Sequence, residues 1–401
     1  MIKFLKFGGF LLVLCALIIA CSKDESFSTE ANQSTAKLLK AKGQVIPGQY
    51  IIVYKKSESS RQIRSADSRT SNKMMNSKAL SALERVGAER GNLKHTYGKS
   101  IVGFSASLSA RQLNQLRQDP EIAYIEEDQM ATISMGGPPN NGGGSTPAAQ
   151  QTPWGISRVN GGVDGTGKVA YIIDSGIDAL HPDLNVDTSR GFNAFTKGKD
   201  ANISEDKNGH GTHVAGTVGA IDNSFGVIGV AAGATVVPVK VLNSRGNGPY
   251  SGIIAGVNHV AAQSDCDAAN MSLGGGYSQA VNDAVIAASA NCPFALAAGN
   301  ESKNASNSSP ASANGSNIYT VSSMAQGDNW SSFSNYGNPP VDICAPGSSV
   351  YSTYPGDSYR TLSGTSMASP HVCGILLFGS VSTDGTVNGD PDGNADAIAV
   401  Y

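Results

Sequence analysis

The chain has 401 residues, 47 of them glycine, with 15% charged and a formal net charge of −3. That length exceeds one average domain and sets an expectation of two folded units with connectors. The near balance of charge argues against a polyanion-binding surface, so nucleic acid is not expected as a partner, and 40% hydrophobic residues argue against disorder.

In chain order, the first element is a targeting segment. Lys3 and Lys6 precede an apolar run over residues 8–20, too short for a comfortable membrane span. It closes on Ile18-Ile19-Ala20-Cys21, followed by the polar Ser22-Lys23-Asp24-Glu25. This arrangement resembles a bacterial lipobox, whose cysteine is lipidated and becomes the new N-terminus. An ordinary signal peptide containing a cysteine is the alternative, and both readings place the protein outside the cytoplasm. Residues 1–21 are thus assigned to a lipoprotein-type signal peptide. Residues 22–45, rich in Ser, Thr and Lys, are assigned to a tether.

From 46 to 134 the pattern is that of a small folded unit. Strands are predicted at 50–54, 101–106 and 122–126, and a helix at 79–86. A second helix over 109–118 starts at a Ser109 cap and sets Leu113 and Leu116 on one face. Interleaving at this length predicts a small α+β unit of the split βαβ (ferredoxin-like) type. Residues 135–148 form a linker in which 136–144 are only Gly, Pro and Asn.

Beyond it, residues 149–401 read as a second domain. Continuous apolar runs at 169–173, 235–241, 268–273, 294–298 and 318–322 lack a period of two, as strands buried on both faces do. Helical stretches at 213–220, 252–263 and 279–290 fall between them. The order predicts an α/β fold: an open parallel sheet with helices on both faces, its site outside the carboxyl ends of the strands. Six cysteines are present, two of them in the targeting region. Cys266 and Cys292 each precede a predicted strand. If those strands are parallel neighbours, both thiols lie at one sheet edge within bridging reach. Cys344 and Cys373 either form a second bridge or stay as buried thiols.

Three segments carry chemistry. Asp174 ends a buried strand in Asp174-Ser175-Gly176-Ile177-Asp178. His210 opens a helix in Asn208-Gly209-His210-Gly211-Thr212-His213, and Ser366 opens another in Gly364-Thr365-Ser366-Met367-Ala368-Ser369-Pro370. Amide hydrolysis at neutral pH needs a hydroxyl beside a base, with an acid that orients the base. Singly, these residues could be a turn Asp, half of a metal pair and a helix cap. Together, in the order Asp, His, Ser, the chain resembles the subtilisin-like serine proteases, including their proteinase K-like members.

The resemblance implies Ser366 as nucleophile, His210 as general base and acid, and Asp174 as its orienting carboxylate. Asp178 and His213 then match supporting positions. In Ala297-Ala298-Gly299-Asn300-Glu301, Asn300 matches the side chain that faces the oxyanion. The resemblance also makes Ser272, Leu273, Gly274 and Gly275 a substrate-pairing edge. With Ala297, Ala298 and Gly299 that edge walls a roomy apolar specificity pocket, and Tyr250 borders a more distant one. A structural calcium ion is implied, with ligands from Gln150, Asp183, Ile221, Asn223, Phe225 and Val227; an ordinary loop is the alternative. No catalytic metal is implied.

Residues 46–134 resemble the inhibitory propeptide of such proteases, with a processing point near Ser134-Met135, although mature-enzyme resemblance starts only at 149. The mature N-terminus is thus bounded by 135 and 149. The expected protein is a monomeric, autoprocessed endopeptidase acting on polypeptides, with apolar preference, held silent by its own propeptide. Cys21 would tie the precursor to the membrane until cleavage releases the enzyme. A non-catalytic lipoprotein binding module on the same fold is the alternative. Only 35 residues follow Ser366, fewer than usual in the family, so its terminal helices are expected to be replaced or missing.

Overall fold

The computed structural model describes residues 35–133 and 149–401, together with the backbone of residues 140–144. The signal peptide, Cys21, the first part of the tether, the Ser134-Met135 processing point and the rest of the linker lie outside the described residues. Among the described residues, no helix is long and apolar enough to cross a membrane.

The N-terminal unit contains β1 (Lys37–Leu39), β2 (Gln44–Tyr54), α1 (Ser68–Arg85), β3 (Leu93–Tyr97), β4 (Gly103–Ser107), α2 (Ala110–Leu116) and β5 (Ile122–Thr132). The strand order is β1-β5-β2-β4-β3. Ser109 and Gln112 form the capping box that starts α2 and commits its Leu113 and Leu116 to the core beside Phe104, Met75 and Leu83. One expectation is corrected here. Residues 37–39, read as tether, form an edge strand parallel to β5, and Lys40 pairs with Glu127 at 2.7 Å. The folded unit therefore starts before residue 46, because the outer edge of β5 is an open ladder that this short segment covers.

The second unit carries β6 (Val169–Asp174), α3 (His210–Gly219), β7 (Thr235–Lys240), β8 (Asn247–Pro249), α4 (Tyr250–Val260), β9 (Ala268–Met271), α5 (Gln279–Ala288), β10 (Phe294–Ala297), β11 (Ile318–Ala325), β12 (Ile343–Pro346), α6 (Thr365–Leu376), β13 (Ser382–Thr386) and β14 (Ala397–Val400). The main sheet runs β7-β6-β9-β10-β11-β12-β14-β13, parallel up to β14. Two apolar clusters lie on its two faces. One is built on α4 and α5, the other on α3 and α6. This is the open parallel sheet with helices on both faces that the apolar runs predict.

The last described residues form a hairpin. β14 lies parallel to β12 and β13 antiparallel to β14, extending the sheet. Cys266 and Cys292 are bridged, with Cα atoms 5.5 Å apart, while Cys344 and Cys373 are buried free thiols.

Candidate active site

Asp174 is the last residue of β6 and fully buried. Its Oδ1 accepts from the Ser175 N–H at 2.7 Å, which orients the carboxylate toward α3. His210 is the first residue of that helix, and its Nδ1 lies 2.8 and 3.0 Å from the two Asp174 oxygens. Two glycines permit the approach. Gly209 turns the chain into the helix at φ 94°, and a Cβ on Gly211 would stand 2.1 Å from the Gly176 carbonyl oxygen.

Ser366 sits in the first turn of α6, 3% exposed. Pro370 lies four residues later and has no N–H to give the Ser366 carbonyl. Ser272 Oγ donates there instead, at 2.8 Å, and is itself held by Asn270 Nδ2 and Ser369 Oγ. The Ser366 hydroxyl donates to the Ser272 carbonyl at 3.2 Å, and His210 Nε2 is buried without a partner. His210 and Asp174 are thus joined, while the Ser366 hydroxyl is held on the Ser272 carbonyl.

Asn300 follows β10, and its Oδ1 accepts from both the N–H and the hydroxyl of Thr365, at 2.8 and 3.0 Å. That fixes which end of the amide accepts and which donates. Thr365 had no role assigned from sequence. Its signal, a hydroxyl residue at a helix start, reads equally well as a cap.

A cavity of about 190 Å³ opens beside Ser366, lined by Leu273, Gly274, Gly275, Ala297, Ala298, Gly299 and Asn300. Glu301 and Lys303 also line it, a charged pair at 3.6 Å that the apolar expectation did not include. Two of the expected contact residues are buried in the intact chain. The Ser272 side chain is buried and spent on Ser366 and Ser369. Tyr250 is fully buried, and its hydroxyl donates to Gly276 O at 2.8 Å with Ser309 O at 3.0 Å. Its hydroxyl braces the edge, and in the intact chain the residue is buried in one cluster with Ala131 of the N-terminal unit.

The cleft holds the end of the N-terminal unit. Residues 130–132 pair antiparallel with Asn247–Pro249 on one side, and Thr132 bridges to Gly274 on the other, with N–O distances of 3.0 and 3.2 Å. The second edge, β8, was missed in the sequence because Gly-Asn-Gly-Pro there reads as a turn.

The neighbouring candidates resolve as supports. His213 is fully buried, with Nε2 3.1 Å from the carbonyls of Val350 and Arg360, and burial, then the nearby His210, pull it down to about 3. Asp178 accepts from the N–H groups of Leu180 and Gly356.

Gln150, Asp183 and Asn223 do converge. Gln150 Oε1 accepts from Asn223 N at 3.0 Å, and Asp183 accepts from Asn223 Nδ2, Val227 N and Tyr359 OH at 2.7, 2.9 and 3.1 Å. A carboxylate and two side-chain amides brought together from three segments of the chain fit a hard cation in donor type.

Residues 165–378 match the model of the subtilase family, and residues 49–134 match that of peptidase inhibitor I9. A subtilisin-like serine protease of Sarocladium strictum is 39% identical over 77% of this chain and 82% of its own length. Proteinase R of Parengyodontium album is 35% identical over 88% and 84%, and M-protease of Shouchella clausii 40% identical over 70% and 69%. The crystal structure of a cold-adapted subtilisin-like serine proteinase superposes with a TM-score of 0.54 at 37% identity, covering 61% of this chain and 96% of that one. Each is named a protease, so a non-catalytic binding module gains no support.

Proposed function

This chain belongs to the subtilase family and carries an inhibitor-type propeptide, and on that premise we propose that it is an exported endopeptidase working through Asp174, His210 and Ser366. The observation that carries the reading is the contact of His210 Nδ1 with the buried Asp174 carboxylate at 2.8 Å.

The Ser366 hydroxyl turns from the Ser272 carbonyl to His210 Nε2, which takes its proton as Oγ attacks the scissile carbonyl. Asp174 holds Nδ1–H and offsets the imidazolium charge. The Ser366 N–H and the Asn300 side chain donate to the oxyanion. His210 then protonates the leaving amine, and a water deprotonated by the same imidazole hydrolyses the acyl-enzyme.

The small residues Gly274, Gly275, Ala297 and Gly299 support a preference for medium to large apolar side chains in the pocket. Lipidation of Cys21 would hold the precursor at the cell envelope, and cleavage after residue 134 would release the enzyme. The convergence of Gln150, Asp183 and Asn223 supports a structural calcium ion, to which carbonyls of Ile221, Phe225 and Val227 would add. A chelator should then lower the thermal midpoint of the wild type and leave that of Asp183→Asn unchanged; equal midpoints with and without chelator in the wild type would remove the ion.

The main test compares wild type and Ser366→Ala on casein and a serine-directed phosphonate. Wild type should cleave and be labelled, and the variant should do neither and keep its propeptide. A wild type that neither cleaves nor is labelled would defeat the reading.

A further inference from the structure

Asp206 lies in the loop four residues ahead of His210, 5% exposed, and joins the two elements that carry Asp174 and His210. Its Oδ1 accepts from Ser175 Oγ at 2.9 Å, Asn208 N at 3.1 Å and Gly209 N at 2.9 Å. Its Oδ2 accepts from Thr212 N at 2.9 Å and Thr212 Oγ1 at 2.8 Å. Ser175 Oγ in turn accepts from Gly211 N at 3.0 Å.

Two consequences follow from this pattern. Ser175 directly follows Asp174, so the bridge Asp206–Ser175–Gly211 locks the end of β6 against the first turn of α3. The second is electrostatic. The first N–H groups of a helix present positive ends, and His210 sits where that field disfavours the imidazolium formed during catalysis. A buried carboxylate that takes two of those N–H groups and adds a negative charge works the other way.

We propose that Asp206 is a positioning residue for the Asp174–His210 pair, acting through Ser175 and the first turn of α3, and that its charge supports the His210 imidazolium. This rests on the proposed roles of Asp174, His210 and Ser366. Other charged groups surround the site. Lys240, at the end of β7, donates to the carbonyls of Ser175 at 2.6 Å and Glu205 at 2.9 Å, with Asp200, Glu205 and Lys207 around it. Asp174 comes from β6, His213 from α3, and Tyr354 with the overlying Arg360 from the antiparallel pair Val350–Tyr354 and Ser358–Leu362. Asp206→Asn leaves these residues in place but also removes the charge that most supports the buried Lys240 ammonium, so the charge-neutral Ser175→Ala is the arm that isolates positioning.

The test is steady-state kinetics against pH on enzyme released from the full chain, for wild type, Asp206→Asn and Ser175→Ala, with the unprocessed Ser366→Ala chain as the inactive control. Misplacing catalytic groups can cost about 10²-fold, so Asp206→Asn should lose at least about tenfold in kcat with KM within about twofold. Losing a negative charge beside the imidazolium should also move the acid limb of kcat/KM down by roughly half a pH unit or more. Ser175→Ala keeps every charge and should lower kcat with the acid limb in place.

A wild-type kcat and acid limb in Asp206→Asn, or a change confined to its thermal midpoint, would overturn the proposal and leave a helix cap. If Asp206→Asn does not accumulate, Ser175→Ala decides, and a wild-type kcat there overturns the positioning role. Activity retained in Ser366→Ala would instead defeat the underlying assignment.

Discussion

At the residue scale, Thr365 has the clearest unassigned influence on chemistry. Its N–H and hydroxyl both hold Asn300 Oδ1, and its Oγ1 accepts from Gly299 N at 3.0 Å. Thr365→Val keeps the shape and removes the hydroxyl, so the Asn300 amide loses one of its two anchors. An oxyanion donor is worth about 10²–10³ in kcat, and one that is only loosened should cost about tenfold, with Thr365→Ser restoring the rate; kinetics on an amide substrate reads this. The proposed triad could be read from the sequence because Asp174, His210 and Ser366 each lie in a longer motif. Thr365 and Asp206 could not, because the contacts each makes depend on which partners face it after folding. Ser272 and Tyr250 show the converse. Their positions were legible, but the bonds their side chains make, Ser272 to the Ser366 carbonyl and Tyr250 to the Gly276 carbonyl, depend on the folded chain.

At the element scale, β5 uses alternate residues to reach two helices of the other unit. Asp128 Oδ1 accepts from Ser251 N at 3.1 Å in the first turn of α4, whose own N-cap is Pro249 and has no side chain to offer. Glu126 Oε2 accepts from Ala280 N at 3.1 Å at the start of α5. In return, Asn258 of α4 accepts from the N–H groups of Gly98, Lys99 and Ser100. Burial pushes Glu126 up to about 7, against the hydrogen bonds of Ser278 and Ala280 that pull it down. In a separated propeptide that carboxyl is hydrated and titrates near the ordinary value of about 4.3, so association takes up a proton. The contribution of Glu126 to inhibition is therefore full below that ordinary value and lost as pH rises through about 7. After processing, activity should emerge faster at pH 8 than at pH 5.5, normalised to fully released enzyme at each pH, and Glu126→Gln should flatten the difference. The long apolar strands and the Ser109-capped helix were readable from pattern alone. β3 was missed because Leu-Lys-His-Thr-Tyr carries few apolar residues, and β1 because its stability comes from the open edge of β5 rather than from its own sequence.

At the scale of the whole molecule, the bridge and the hairpin decide how the sheet is closed. Cys266–Cys292 spans a 26-residue separation that includes β9 and α5. Loop-closure entropy for such a length is worth about 3 kcal/mol, so Cys266→Ser with Cys292→Ser should lower the unfolding midpoint with activity at 25 °C retained; calorimetry checks it. The C-terminal hairpin was invisible in a Gly- and Asp-rich stretch because only β12, already in place, gives β14 a ladder to join. Residues 130–132 occupy the cleft as the middle strand of a three-strand ladder, with Asn247–Pro249 on one side and Gly274 on the other. A polypeptide taking that place must surrender any hydrogen-bonded partner of its own. The rate at which a folded protein is digested should then follow how often a stretch of it opens. Side-chain preference would choose among the bonds that such openings expose, and the enzyme would act as a reader of its substrates' local stability.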